Sequence, residues 1–345
     1  MKSVYDKKDL EKFLEKQGYG HRELRRTRRL LFREFEPLES IPESGRVLPA
    51  LEEDFQTSFL KLISRMDSNI DGATKLLFET YDGKQIETVI LRINTGRTSI
   101  CVSSQVGCSE KCTFCATGAM GFLRNLSYNE ILDQIVHAGR ILREEDRKLR
   151  NIVFMGMGEP LRNYANLESA LEMLLDGSTF QFAHKFITIS SSGLPDLMLK
   201  FSKRFPQVGI ALSLNAADDE TRVRVMPVNE RFPMKVLRET LQEMEEIRQS
   251  GVMIEYIMFK DVNDSLEDAK KVAEFLSGLD VHINLIPYNP DLSDVKGFFA
   301  SDPEDIIAFQ DYLKDEGYKV TRRFSLGQDI AAACGQLANN ETIEK

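Results

Sequence analysis

No stretch of the 345-residue sequence approaches the ~18 consecutive apolar residues that a membrane-spanning helix needs. The charged opening MKSVYDKKDLEKFLEKQ also lacks the apolar centre of a secretion signal, so the sequence predicts a cytoplasmic protein without membrane attachment. Cysteine is scarce and odd in number, five in all, so complete pairing is impossible; a reducing cytoplasm argues further against a disulfide scaffold. Histidine is scarcer still: His21, His137, His184 and His282 are the whole supply, and none adjoins the cysteines. Excess positive charge is missing too. A net charge of -9 excludes a protein that coats nucleic acid through its overall field, though not one with a local basic patch. With 42% hydrophobic and 29% charged residues the composition is that of an ordinary globular chain.

The length suits a barrel-type domain of about 250 residues with a smaller appendage. Residues 1–72 read as short amphipathic helices broken near GYG and SIPESG, with no strand pattern: a helical accessory domain. Residues 73–93 contain two β-leaning runs around Asp82-Gly83, the signal of a hairpin linker. From 94 to 315 buried-strand runs (NIVFMGM, FITIS, VGIALSLN, VMIEYIMF, VHINLIPYN) alternate with helical segments, a rhythm that predicts α/β architecture with a parallel sheet and a partial (β/α) barrel. Residues 316–345 supply a last strand, YKVTRRF, and an arm carrying Cys334. Such a barrel keeps its chemistry on the loops after the strands. Gly158 with Glu159, Ser190, Ser213 with Asn215, and Asn289 follow four separate strands and point to one shared pocket, although Ser and Asn are also ordinary turn residues.

One basic patch stands out in HRELRRTRRLLFR, residues 21–33. On a helix Arg22, Arg26, Arg29 and Arg33 share one stripe, which serves either as a phosphate-contacting surface or as a solvated face. Arg322 and Arg323 are secondary candidates for the same role.

Four of the five cysteines crowd into CVSSQVGCSEKCTFC, residues 101–115. Cys108, Cys112 and Cys115 form C-x3-C-x2-C. Three thiolates can hold three corners of an iron-sulfur cubane and leave the fourth iron open, or they can hold zinc with one vacant position, although zinc loops more often use C-x2-C pairs. Three buried structural cysteines are the bland alternative.

The spacing C-x3-C-x2-C is the signature of radical S-adenosylmethionine enzymes. Together with VSSQVGCSEKCTFCATG, FMGMGEPL, INLIPYNP and GQDIAAACGQLA, in order from about Glu87 to Leu337, the sequence resembles the RlmN/Cfr family of RNA adenine methyltransferases. The resemblance implies a [4Fe-4S] cluster on Cys108, Cys112 and Cys115, with S-adenosylmethionine contacted by Gly158, Glu159, Ser190, Ser213, Leu214, Asn215 and Asn289. It implies that Cys334 carries the methyl group, that Cys101 resolves the adduct through a transient Cys101–Cys334 disulfide, and that Glu87 accepts the ring proton. Two S-adenosylmethionines would be used per turnover, with electrons from a flavodoxin or ferredoxin. The substrate would be 23S rRNA, possibly tRNA, methylated at adenine C2 or C8 by a monomer. Asn215 stands where the family commonly has His. Two other readings stay open: a radical enzyme acting on a substrate other than RNA, and a non-enzymatic iron-sulfur or zinc module that binds RNA or ribosomes.

Overall fold

The computed structural model describes residues 1–290, 297–323 and 325–338. The chain opens with β1 (Lys2–Ser3), helices α1 (Lys7–Lys16), α2 (His21–Arg28) and α3 (Ser44–Asp54), and β2 (Phe55–Gln56), which pairs with β1 in parallel. In α1 the buried Leu10, Phe13 and Leu14 recur at helical spacing, and the Asp6 carboxylate caps the first turn through the Asp9 amide. This accessory unit is fastened to the body of the protein by polar bonds. The Tyr5 hydroxyl donates to Asp133, Lys7 pairs with Asp176 at 2.8 Å, and Arg33 Nε donates to the Thr179 carbonyl at 3.0 Å.

The next element corrects the expectation that no strand precedes residue 73. β3 (Leu60–Asp67) runs antiparallel to β4 (Ala73–Thr80), which turns at Gly83 into β5 (Gln85–Arg92). The hairpin is the one its Asp-Gly signal predicts, with Gly83 at φ 72°. β3 gives no such signal because it is an edge strand. Only Leu60 of its eight residues is buried, so apolar and polar positions do not alternate.

β6 (Thr98–Cys101) then leads into the cysteine excursion, made of β7 (Gln105–Gly107), α4 (Ala116–Met120) and β8 (Phe122–Asn125). Strand and helix alternate from there: α5 (Tyr128–Glu144), β9 (Asn151–Phe154), α6 (Tyr164–Leu175), β10 (Ile187–Ser191), α7 (Pro195–Arg204) and β11 (Gly209–Ser213). The chain continues through α8 (Asp219–Val225), α9 (Met234–Ile247), β12 (Val252–Met258), α10 (Leu266–Leu276), β13 (Val281–Pro287), α11 (Pro303–Asp315) and β14 (Lys319–Arg322). One ten-stranded sheet results, in the order β14-β13-β12-β11-β10-β9-β6-β5-β4-β3. β6 and β9 to β14 run parallel, and β14 and β3 are its free ends, so the barrel is partial.

Alternation along each strand decides what faces the site. In β10, Ile187 and Ile189 are fully buried in the core while Thr188 and Ser190 turn to the opposite face. In the same pairing register Ser213 of β11 stands beside Glu255 of β12, which stands beside Asn284 of β13. An apolar layer thus carries a polar inner row toward the carboxyl ends of the strands.

Candidate active site

The cysteine excursion is a tight crossing of two backbones. β7 pairs antiparallel with β8, and a Cβ on Gly107 would stand 1.8 Å from the Gly121 carbonyl oxygen, so only glycine fits. The Cys108 amide donates to the Gly121 carbonyl at 3.0 Å, and the Thr113 amide donates to the Val225 carbonyl of α8 at 3.0 Å. Held in this way, Cys108, Cys112 and Cys115 line one cavity of about 850 Å³, part of it open solvent. Burial, reinforced by neighbouring thiols and Glu110, pushes the Cys112 thiol well up; burial also drives Cys108 up to about 12. Thiols raised in this way, as at Cys108 and Cys112, ionise against a nearby cation. Among the described residues no three His, Cys, Asp or Glu side chains form a ready cage for a single ion. A cubane asks for less, since each thiolate takes a different iron, and the half-buried sulfur-only set fits it.

The opposite wall is built from strand ends. At Gly158, φ 98°, an added Cβ would approach the Gln105 Cβ to 2.5 Å. The Glu159 carboxylate accepts from the Leu161 amide at 3.1 Å and the Ser192 amide at 2.8 Å, strapping the loop after β9 to the loop after β10; burial pushes its pKa up to about 7. Ser190 Oγ and Ser213 Oγ lie 3.4 Å apart. Glu255 takes a hydrogen bond from Asn284 Nδ2 at 2.9 Å on one oxygen, while its buried Oε1 has no hydrogen-bond partner among the described residues. An orphaned buried oxygen on a cavity wall is the mark of a ligand's donor group.

The structure does not treat all the sequence candidates alike. Asn215 lines the cavity, but its side chain is spent on the fold: Oδ1 accepts from the Ile257 amide at 2.9 Å. Its φ of 58° explains the residue, because Asn tolerates the left-handed region better than most side chains. Leu214 is fully buried and reaches the site only through its backbone, whose amide donates to the Glu255 carbonyl at 2.9 Å. Asn289 bonds Ser325 Oγ at 2.8 Å and Gln328 Nε2 at 2.6 Å, holding the terminal arm rather than the cavity wall.

That arm brings the distant cysteine in. The Gly335 carbonyl accepts from the Ala116 amide at 2.7 Å, directly after the last cysteine of the trio, and Cys334 lines the same cavity. Cys101, at the end of β6, is buried alongside. Burial first, and then the Cys334 charge, drives the Cys101 thiol up to about 12, whereas the Arg323 guanidinium pulls both thiols down. All five cysteines are free thiols in this structure, so the disulfide implied by the resemblance is not present here. Glu87 sits on β5 in a buried pair with Lys75 at 3.1 Å, and Lys75 also donates to the Ala331 carbonyl of the arm at 3.3 Å. Burial raises the Glu87 pKa against the pull of Lys75.

Comparison with known proteins agrees with this arrangement. The radical SAM superfamily profile matches residues 102–276. A probable RNA methyltransferase of Rhodopirellula baltica is 48% identical over 321 residues, covering 93% of this chain and 83% of its own. The dual-specificity RNA methyltransferase RlmN of Anaeromyxobacter dehalogenans is 44% identical over 275 residues, 78% of this chain and 72% of its own. The chain belongs to the radical SAM RNA methyltransferases of the RlmN/Cfr family. A crystal structure of a radical SAM methyltransferase from Sphaerobacter thermophilus superposes on it with a TM-score of 0.89 at 35% identity, covering 98% of this chain and 99% of that one. Membership of the radical SAM superfamily implies a [4Fe-4S] cluster and S-adenosylmethionine, which the cysteine trio and the strand-end wall would hold. No helix among the described residues is long and apolar enough to cross a membrane.

Two candidates for RNA contact change character. Arg323 faces the cavity instead of the surface, and Arg33 is anchored to the carbonyls of Gly177 and Thr179. A π-helical turn over Arg29–Arg33 breaks the α-helical phase on which the stripe depended, and Arg29 pairs with Glu34 at 3.2 Å. Arg22, Arg25 and Arg26 remain exposed on α2. Sequence reasoning missed Glu255, whose one signal is a lone carboxylate in the apolar run VMIEYIMF.

The Arg323 guanidinium makes a prediction. Substituting Arg323→Met removes the cation that lowers the Cys334 pKa, leaving burial and Glu255 to raise it. Alkylation of Cys334 by iodoacetamide, followed by site-resolved mass spectrometry, is expected to slow several-fold at pH 8 as the thiolate fraction falls. Its pH profile should move upward; an unmoved profile contradicts the assignment.

Proposed function

We propose that this chain methylates a ring carbon of adenine in RNA, at C2 or C8, carrying the methyl group on Cys334. The observation that supports the reading best is the pairing of two extra thiols, Cys334 on the cavity wall and Cys101 in its field, beside a three-cysteine loop. A radical enzyme of another kind needs only the loop. The target carbon is an electron-poor sp2 centre that cannot displace a methyl group from a sulfonium, so a carrier and radical chemistry replace direct transfer. When bound, the cluster and S-adenosylmethionine supply the electron and the 5'-deoxyadenosyl radical that make this chemistry possible.

The protein's own residues do the rest. The Cys334 thiolate first takes a methyl group by displacement, releasing S-adenosylhomocysteine, with Arg323 favouring the thiolate. The S-methyl group on Cys334 would lose one hydrogen atom to the radical that a second S-adenosylmethionine would supply, and its carbon would then join the ring. The adduct then gives up its ring proton to Glu87, whose pKa burial raises, and one electron, for which the oxidised cluster, when bound, would be the acceptor. Cys101 attacks the Cys334 sulfur, and the breaking C–S bond leaves its electron pair on the new carbon, which is protonated. Methyladenine departs and a Cys101–Cys334 disulfide remains for an external dithiol to reduce. A flavodoxin or ferredoxin would provide the electron that starts the cycle.

The substrate class we assign is 23S rRNA, possibly with tRNA, its adenine extruded into the cavity. Mass mapping of methyladenosines in ribosomal and transfer RNA from cells with and without the gene tests this; an identical inventory removes the assignment. Arg22, Arg25 and Arg26 are our choice for phosphate contacts. Changing all three to Glu should weaken RNA binding by at least about tenfold near 0.1 M salt and flatten its salt dependence. Reductive cleavage of S-adenosylmethionine without RNA should be untouched.

A further inference from the structure

Arg222 is a fully buried arginine on α8, and everything it bonds is neutral. Its Nε donates to the Leu214 carbonyl at 3.0 Å and its Nη1 to Asn229 Oδ1 at 3.0 Å; Nη2 reaches the Ser192 carbonyl at 2.7 Å and the Ser213 carbonyl at 3.1 Å. It forms no ion pair among the described residues. Asp219, the carboxylate whose field it feels, gives its Oδ1 to Asn229 Nδ2 at 2.7 Å and to the Met234 amide at 2.8 Å. A buried cation without a counter-charge is costly, so a protein that keeps one has an anion in store for it.

The surroundings name the anion. The helix that carries Arg222 also pins the cysteine loop, since the Thr113 amide and hydroxyl bond the Val225 and Arg224 carbonyls at 3.0 and 3.1 Å. Met226, next in the chain, lines the cavity. Arg222 and Cys112 stand close enough for each to feel the other's charge, and a guanidinium stays protonated at neutral pH.

We propose that Arg222 is the fixed counter-charge of the thiolate-bound cluster and raises its reduction potential, while its guanidinium fork positions the loops at Ser192 and Ser213–Leu214. A fixed cation close to the cluster favours the form that has gained an electron, because net charge and burial are among the features that set such potentials. The inference rests on the chain holding a cluster, which the wild type tests first: without an iron-sulfur chromophore in anaerobically reconstituted wild-type protein, the radical SAM reading itself fails.

The deciding measurement is a redox titration of reconstituted protein followed by electron paramagnetic resonance, in the wild type, R222K and R222Q. In R222Q we expect the ratio of reduced to oxidised cluster at a fixed potential near the wild-type midpoint to fall about tenfold, equivalent to 59 mV for one electron. R222K keeps the charge but loses the fork, and its midpoint should stay near that of the wild type. A cluster in R222Q with an unchanged midpoint overturns the proposal. If R222Q assembles no cluster, R222K decides: a cluster of near wild-type midpoint supports the charge role, whereas loss of the cluster in both variants shows that Arg222 is only a scaffold.

Discussion

Cys101→Ala is expected to stop the reaction after the new carbon–carbon bond has formed, leaving RNA covalently attached to Cys334. In our scheme the carrier sulfur and the adenine share one carbon, and only an attack on sulfur separates them. Cys101 is the one thiol whose field overlaps that of Cys334 without belonging to the C-x3-C-x2-C trio. Alanine preserves the small buried volume at the end of β6, so folding and cluster assembly should persist. We expect turnover to fall by at least ~10³-fold, about 4 kcal/mol of lost rate enhancement, while a protein–RNA band accumulates on denaturing gels. Cys334→Ala on the same background must abolish the band. Multiple turnovers by Cys101→Ala would refute the resolving role.

Lys75→Met should be the most damaging single change to stability. Lys75 and Glu87 are both almost wholly buried and joined at 3.1 Å through Glu87 Oε1, while Glu87 Oε2 has no hydrogen-bond partner among the described residues. Removing one member of such a pair strands the other and typically costs ~3–5 kcal/mol, whereas replacing both by apolar groups of similar size is often neutral. Lys75→Met with Glu87→Leu should therefore recover most of the loss, read from denaturant midpoints of cluster-free protein. The pH dependence follows from the same carboxyl. Burial raises the Glu87 pKa, so above its ordinary value the folded chain still holds a proton that the unfolded chain has released, and stability declines as pH rises. Without Lys75 that pKa rises further, and the deficit should be larger at pH 8 than at pH 5. A loss below about 1 kcal/mol at pH 8 would mean that water reaches the pair.

The fold was largely legible because its signals are local. Continuous β-branched runs such as FITIS and the helical patterns between them need no knowledge of what packs where, and the Asp82-Gly83 turn specifies its hairpin alone. The trio at Cys108, Cys112 and Cys115 was legible for the same reason. What escaped depends on register. Lys75 and Glu87 sit on different strands, and only the pairing of β4 with β5 puts them together. Arg222 in DETRVRV looks like one more charge on a polar helix; its burial follows from the packing of α8 against the loops after β10 and β11. Arg323 adjoins Arg322 in a basic dipeptide that suggests a surface, until strand alternation turns it inward. Asn215 departs from the family residue, and its backbone angle supplies a reason that the sequence does not display.

Cys334 opens on the same cavity as the three cysteines of the loop. In the proposed cycle one chamber thus has two successive tenants of the same kind, the methyl donor and then the radical source. The by-product of the first event occupies the seat that the second requires and must leave before it. S-adenosylhomocysteine therefore competes within every cycle, and a cell that clears it slowly would throttle this protein with no change in the supply of donor.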